Sequence, residues 1–401
     1  MNNLRKNIFA VCALTSCAIA VADENLNIAQ NEISNIGEMF ENGRMSGEIR
    51  SMYAGYNKKQ AGENDIYATA LGGYLKYELA TLKGLSAAAA FSISHDINFA
   101  TGEESVKQNP ELSSSEGKYT VLSEAYLNYS YDSFNFRAGR QLIDTPLADS
   151  DDIRMIANTF EAYIATYQVS NFNFIAGNLQ KWQGVDTGLD DEWIKTGEDG
   201  TWFGGIMYSD GIIEANAWYY NITKLTNAAY FDIALNYEID SDIFISGAFQ
   251  YLNEKEISSS GTKADIYGAS AEFSAHGLIL GAAYNKSEKK ANKESFSGFG
   301  GGTLFTNMDT MILDEITYND KAEALVGSIG YEINNLMFMY AYGDFDSNKA
   351  HIVEQNIGIE YSLIEDSCSL RAIFVNQKDK ENVLKTENDW DRFELMAAYR
   401  F

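Results

Sequence analysis

Residues 389–401 read Asp389-Trp390-Asp391-Arg392-Phe393-Glu394-Leu395-Met396-Ala397-Ala398-Tyr399-Arg400-Phe401. Side chains of a strand alternate between its two faces. Phe393, Leu395, Ala397, Tyr399 and Phe401 therefore share one face, and Arg392, Glu394, Met396, Ala398 and Arg400 the other. The pattern recurs along the chain. Phe231, Ile233, Leu235, Tyr237 and Ile239 alternate with Tyr230, Asp232, Ala234, Asn236 and Glu238, and Val353 to Leu363 alternates with Glu354 to Ser362. Beyond the N-terminal segment, nothing approaches the run of about 18 apolar residues that a spanning helix needs. A barrel escapes that test, because each strand carries its apolar half at every second position and turns the polar half to the lumen. A charge facing mid-bilayer costs roughly 2–4 kcal/mol, so only one set in each pair is able to face lipid. A composition with 25 Tyr, 22 Phe and only 2 Pro suits strands.

Alternation and turn signals predict strands over 44–56, 66–81, 84–97, 118–131, 133–141, 160–169, 172–182, 201–209, 212–222, 227–239, 242–254, 263–275, 277–287, 320–333, 336–346, 351–363, 367–378 and 389–401. The expected fold is all-β, a transmembrane antiparallel β-barrel of 18 strands over residues 44–401. Tight turns are expected at Asp132-Ser133, Ser170-Asn171, Asp210-Gly211, Asp240-Ser241, His276-Gly277, Asn334-Asn335 and Glu365-Asp366. Longer loops lie between them, including 98–117, 142–159, 183–200 and 288–319. Short turns on one side and long loops on the other match the periplasmic and extracellular ends of an outer-membrane barrel. An even strand number then puts both ends of the barrel sequence on the periplasmic side.

Residues 1–22 read as a cleavable signal peptide: Arg5 and Lys6 precede an apolar stretch from Ile8 to Val21, and Ala20-Val21-Ala22 forms a small-x-small cleavage site. Leu14-Thr15-Ser16-Cys17 loosely resembles a lipobox that would lipidate Cys17, but the Ala-x-Ala site is the cleaner signal. Residues 23–43 read as a periplasmic lead-in, with Ile33, Ile36, Met39 and Phe40 at helical spacing. Losing Arg5 and Lys6 lowers the basic count from 30 to 28 against 57 acidic residues, a net charge near −29. So acidic a chain attracts cations and excludes nucleic acid bound through phosphate contacts. With Cys12 and Cys17 in the signal, Cys368 alone remains, which excludes a disulfide framework and a cysteine metal site.

The stretch after the fifth strand is the most specific. Gly139-Arg140-Gln141-Leu142-Ile143-Asp144-Thr145-Pro146-Leu147 runs into Ala148-Asp149-Ser150-Asp151-Asp152-Ile153-Arg154-Met155-Ile156-Ala157-Asn158-Thr159-Phe160. With the aromatic C-terminal strand, it resembles the Opr/OprD-type family of outer-membrane porins. The run Phe296-Ser297-Gly298-Phe299-Gly300-Gly301-Gly302-Thr303-Leu304-Phe305 resembles a second inward-folded loop of that family's epsilonproteobacterial branch. The resemblance implies an inward-folded constriction loop, a ladder of lumen-facing arginines, passive diffusion of small hydrophilic solutes, and a homotrimer in outer-membrane lipid and lipopolysaccharide. Arg154 matches the loop arginine. Arg50, Arg137 and Arg392 are expected ladder members, with Glu394 lumen-facing beside them. Physics agrees with that placement: a wide barrel is unselective unless something fills it, and charges in its narrowest water decide which ion passes. Asp144, Asp149, Asp151, Asp152 and Arg154 are thus the expected constriction residues, and four acids against one base predict cation preference. The plain alternative is that the aspartates are solvated loop residues and Arg154 pins the loop by a salt bridge.

Three further signals bear on other chemistry. Asp149, Asp151 and Asp152 form a weak Ca²⁺ candidate, since clustered carboxylates suit a hard cation but the EF-hand glycine and distal glutamate are missing. Gly298, Gly300, Gly301 and Gly302 form no phosphate loop, because no Lys-Ser/Thr follows them; they suit a compact turn inside the pore. His95-Asp96 at a rim suggests an acid–base pair, yet no nucleophile or second carboxylate pair is placeable beside it, so a solvated strand end is the simpler reading. A barrel hydrolase needs fewer strands and a rim triad, and an adhesin needs a passenger-sized loop. The expected protein is a channel, not an enzyme.

Overall fold

In a computed structural model, the described residues are 33–59, 64–97, 99, 109–114, 116–189, 192–364, 367–380 and 389–401. The expected signal peptide, with Cys12 and Cys17, and the expected turn Glu365-Asp366 lie outside them. Eighteen long strands form the wall. These are β1 Arg44–Lys58, β2 Ile66–Glu78, β3 Leu85–Asp96, β4 Lys118–Tyr131, β5 Phe134–Gln141 and β6 Thr159–Val169. They continue as β7 Phe172–Gln183, β8 Thr201–Ser209, β9 Ile213–Ile222, β10 Thr226–Asp240, β11 Ile243–Glu256 and β12 Asp265–Ala275. The last six are β13 Leu278–Ser287, β14 Ala322–Ile333, β15 Leu336–Ser347, β16 His351–Ile364, β17 Cys368–Asp379 and β18 Trp390–Arg400. Each pairs antiparallel with its sequence neighbours, and β18 pairs with β1 from Glu48↔Arg400 to Lys58↔Trp390, which closes the ring. Phe401 completes the seam: its backbone exchanges two 3.0 Å hydrogen bonds with Gly47.

Every sequence-predicted strand is present, each end within three residues of its expected place. The turns owe their tightness to left-handed backbone, which suits the right-handed twist of the flanking strands. His276 and Gly277 have φ of 50° and 86°, and Asp132, Ser170 and Asn334 are likewise positive. The helix α1, Ile36–Glu41, starts where Asn35 caps the Glu38 N–H at 3.1 Å. Only Met39 of its apolar residues is buried, and Ile36 and Phe40 stay exposed, so the expected apolar face packs over one residue alone.

The apolar set of each strand points outward. Phe231, Leu235, Tyr237 and Ile239 on β10, Ile357 to Leu363 on β16, and Phe393, Leu395 and Tyr399 on β18 are exposed, while Arg392 and Glu394 are completely buried inside. Phe249, mid-strand on β11, is 67% exposed. Phe249→Arg should therefore cost about 2–4 kcal/mol in urea titrations of folding into lipid vesicles. A loss well under about 1 kcal/mol would mean that this face does not lie at bilayer depth.

The interior departs from a simple polar lumen. Leu147, Phe160, Tyr220, Phe299, Leu304, Met308, Met311, Leu313, Phe345 and Ile352 form one buried cluster, contributed by the inner wall and by loops 142–158 and 288–321. Met52, Ala54, Leu112, Met155, Ile156, Leu189 and Met396 form another. The lumen-facing positions are apolar where a loop presses on them, because that contact removes apolar surface from water.

Candidate functional site

Loop 142–158 folds inward as a small hairpin. Asp144-Thr145 pair with Ala148-Asp149 around Pro146-Leu147, and Ser150 Oγ bonds the Ile143 N–H at 2.8 Å and its carbonyl at 3.1 Å. Loop 288–321 lies against it, as the resemblance implied. Asp149 N–H donates to the Phe299 carbonyl and Phe299 N–H to the Leu147 carbonyl, both at 3.0 Å. Gly300, at φ 71°, makes the close approach possible: a Cβ there would sit 2.3 Å from the Asp149 carbonyl oxygen. Lumen-facing wall residues hold the second loop. Gln250 accepts from Phe305 N–H at 2.7 Å, Asn285 from Thr306 N–H at 3.0 Å, and Glu354 from Met311 N–H at 2.8 Å.

Together with Glu111 of segment 109–114, the two loops press a charge cluster against β1, β17 and β18. Arg392 reaches Glu394 at 2.6 Å, Asp309 at 2.7 Å and Glu111 at 3.0 Å, with its guanidinium 5.7 Å from the Tyr56 ring centre. Arg154 lies within 3.3 Å of Glu394, 3.5 Å of Glu111 and 3.6 Å of Asp309. Arg371 completes this tier, 2.8 Å from Glu394. Towards the rim that holds both ends of the barrel, Arg50 clasps Asp152 at 2.9 and 3.3 Å and contacts Glu48, which also pairs with Arg400. Three guanidinium groups thus face three carboxylates in the upper tier, and two face two in the lower. Burial and neighbouring Arg392 push the Arg154 pKa down, but Asp309, Glu111 and Glu394 outweigh them and hold it above its ordinary value. The cluster carries fixed charge of both signs and no nucleophile.

The structure brings together Arg154, Arg50, Arg392, Glu394 and Asp152 of the expected site. Asp144 and Asp149 face each other across the hairpin instead. Burial, then Asp144, pushes the Asp149 carboxyl up to about 7. Burial, then Asp186, raises Asp151 to about 6, against the pull of Arg154. Arg137 stands elsewhere, stacked 4.4 Å from the Tyr126 ring centre and 3.3 Å from Asn128 Oδ1; the charge cluster is built on β1, β17 and β18, not on β5. Asp149, Asp151 and Asp152 do not converge, and among the described residues no three His, Cys, Asp or Glu side chains group as metal ligands. At the rim, Asp96 accepts from Ser113 Oγ at 2.6 Å, and His95 Nδ1 lies 2.8 Å from the Asp96 carbonyl oxygen rather than hydrogen-bonding its carboxylate. Arg371, Arg400 and Glu48 were not among the expected site residues, although each shares the parity of its strand's lumen face. Glu111 and Asp309 sit in long loops, where no period marks them.

No protein-family model and no curated protein sequence matches the chain. Its structure is similar to OccAB4 of Acinetobacter baumannii, with a TM-score of 0.76 and 15% identity over 90% of this chain and 98% of that one. It is equally similar to Pseudomonas aeruginosa OpdK, solved with vanillate, at TM-score 0.76, 13% identity and 90% and 99% coverage. A BenF-like porin from Pseudomonas fluorescens Pf-5 gives TM-score 0.76 at 14% identity, again over 90% and 99%. At these identities the likeness establishes a shared fold: a closed antiparallel barrel of 18 strands.

Proposed function

We propose that the protein is an outer-membrane porin through which small hydrophilic solutes and ions diffuse passively, with a preference for cations. The observation that carries this reading is the charge cluster held by inward-folded segments inside a barrel with an apolar outer wall. Such a structure lowers no chemical barrier; it sets the potential and width that a passing solute meets. One barrel neighbour is a BenF-like porin, which supports a channel over an enzyme. The long-loop rim would face outward and the terminal rim the periplasm. The epsilonproteobacterial affinity rests on residues 296–305, and the homotrimer on resemblance alone, so crosslinking of unheated membranes that gives only monomer overturns the trimer.

Cation preference rests on the acids beyond the matched cluster, among them Asp144, Asp149 and Asp151 in the inward loop. Reversal potentials across a KCl gradient should lie on the potassium side, and a chloride-side value rejects the reading. Replacing Asp149, Asp151 and Asp152 by Asn should weaken the preference, whereas Arg154→Ala should deepen it. We assign to Arg154 the orienting of a solute carboxylate, a solute class to which the vanillate solved with OpdK belongs.

The raised carboxyls give the preference a pH dependence. Asp149 and Asp151, with pKa values of about 7 and about 6, are largely neutral at pH 5 and ionised at pH 8. Cation preference should therefore grow over that interval. The linked stability runs the other way: raised carboxyl pKa values favour the folded loop in acid, and this contribution is lost as pH rises through 6 to 7. Asp149→Asn with Asp151→Asn should flatten both trends. A wild-type reversal potential that stays constant from pH 5 to 8 refutes the assignment.

A further inference from the structure

We propose that Glu254, Asp314 and Ser295 form a calcium site that fastens loop 288–321 to the inner wall of β11. Glu254 faces the lumen and is completely buried; its Oε2 accepts the Phe296 N–H at 3.0 Å, while Oε1 has no hydrogen-bond partner. Asp314 lies in the 3-10 turn Leu313–Ile316, more than nine-tenths buried, and its Oδ1 is likewise without a partner. The Ser295 hydroxyl, also buried, stands beside both carboxylates and has one proton to offer the two of them. Glu254 Oε1 and Asp314 Oδ1 therefore share one enclosed place with a single hydroxyl. Buried polar atoms are otherwise almost always satisfied, so two carboxylate oxygens left over beside one hydroxyl call for an occupant.

The occupant's chemistry follows from the donors. Two carboxylates and a hydroxyl are all hard oxygen ligands, with neither sulfur nor imidazole to favour zinc or copper. Among the described residues, no lysine or arginine forms an ion pair with Glu254 or Asp314, so nothing in the chain neutralises the two carboxylates when both are ionised. Burial pushes the Asp314 carboxyl up, as expected for an acid awaiting a proton or a cation. Calcium accepts irregular shells of six to eight oxygens, whereas magnesium demands an octahedron and keeps its waters, which a closed pocket does not favour. The three side chains supply part of that shell, and main-chain or water oxygens complete it. The geometry is also held in advance: Thr317 Oγ1 accepts the Ser295 N–H at 3.0 Å and donates to the Asp314 carbonyl at 2.8 Å, tying both ligand-bearing segments together. This site lies apart from the arginine cluster and stands whether or not the channel prefers cations.

The test is equilibrium dialysis of the purified full barrel in detergent with ⁴⁵Ca²⁺ at about 1 mM, the affinity range of extracellular calcium modules. Moderate KCl suppresses diffuse binding to the acidic surface. Wild type should hold one more calcium per chain than Glu254→Gln or Asp314→Asn, with tenfold excess Mg²⁺ failing to displace it. Ser295→Ala should bind more weakly but fold normally. Calcium should also slow tryptic cleavage at Lys289, Lys290 and Lys293 in wild type and not in Glu254→Gln. Equal calcium content in wild type and both carboxylate variants overturns the proposal. So does a Glu254→Gln protein that is more heat-stable than wild type in calcium and in chelator alike, the behaviour of two carboxyls that merely share a proton.

Discussion

Arg392→Ala should raise the potassium-over-chloride permeability ratio severalfold and lower the stability of the constriction by about 3–5 kcal/mol, the usual loss when one partner leaves a buried ion pair. The expectation follows from position. Arg392 is completely buried and touches Glu394, Asp309 and Glu111, one carboxylate from its own strand and two from different loops. Its removal leaves Glu394 with Arg154 and Arg371; among the described residues, Asp309 and Glu111 then keep Arg154 as their one cationic partner, and Glu111 its 2.9 Å bond from the Tyr56 hydroxyl. The interior beside this cluster becomes wider and more negative together. Arg392→Lys keeps the charge but loses the planar fork that spans three carboxylates. It should retain the wild-type reversal potential while melting earlier. An unchanged permeability ratio in Arg392→Ala would mean that ions pass without meeting this cluster.

Gly300→Val should open the channel. A side chain at Gly300 meets the Asp149 carbonyl at 2.3 Å and Asn158 Nδ2 at 2.4 Å, and φ of 71° is unfavourable for a β-branched residue. The strain, about 1–3 kcal/mol for overpacking alone, falls on the two hydrogen bonds between Asp149, Phe299 and Leu147 that stitch the loops together. Once they part, Arg154 is no longer pressed towards Glu394. Single-channel conductance should rise and current noise increase. Gly327, where a new Cβ meets nothing within 4 Å, provides the control: Gly327→Ala should leave conductance unchanged. Equal conductance in Gly300→Val and wild type would show that contact between the loops does not set the width.

The wall was legible because a strand half in lipid and half in water writes its geometry into every second residue. Phe393 and Glu394 differ in parity, and that alone places one in the bilayer and the other in the lumen. Arg154 and Arg392 were legible for a related reason, since each stands out against its loop or strand. Their partners were not. Arg154 meets Glu394 across 240 positions of sequence, and Arg392 meets Glu111 across 281. Such contacts depend on how the loops fall into the barrel, and no local pattern records it. Counting four aspartates in loop 142–158 also concealed their different fates. Asp152 is neutralised by Arg50, whereas Asp149 is crowded against Asp144. The apolar lumen positions, such as Met52 and Phe345, blurred the alternation where loops cover them.

The loops inside this barrel have their own oily interior, so the molecule resembles a small water-soluble protein housed in a membrane-bound sleeve. The sleeve is held by a continuous ring of backbone pairing, and its contents by side-chain packing and a few buried charges. Such different bonding need not fail at one temperature. Gentle heating should dissolve the contents first and leave the sleeve standing, a pipe that still conducts but no longer chooses. The same division gives evolution a safe place to experiment: Leu147, Phe299 and their neighbours are able to drift, and the choice of cargo with them, while every residue that touches lipid stays as it was.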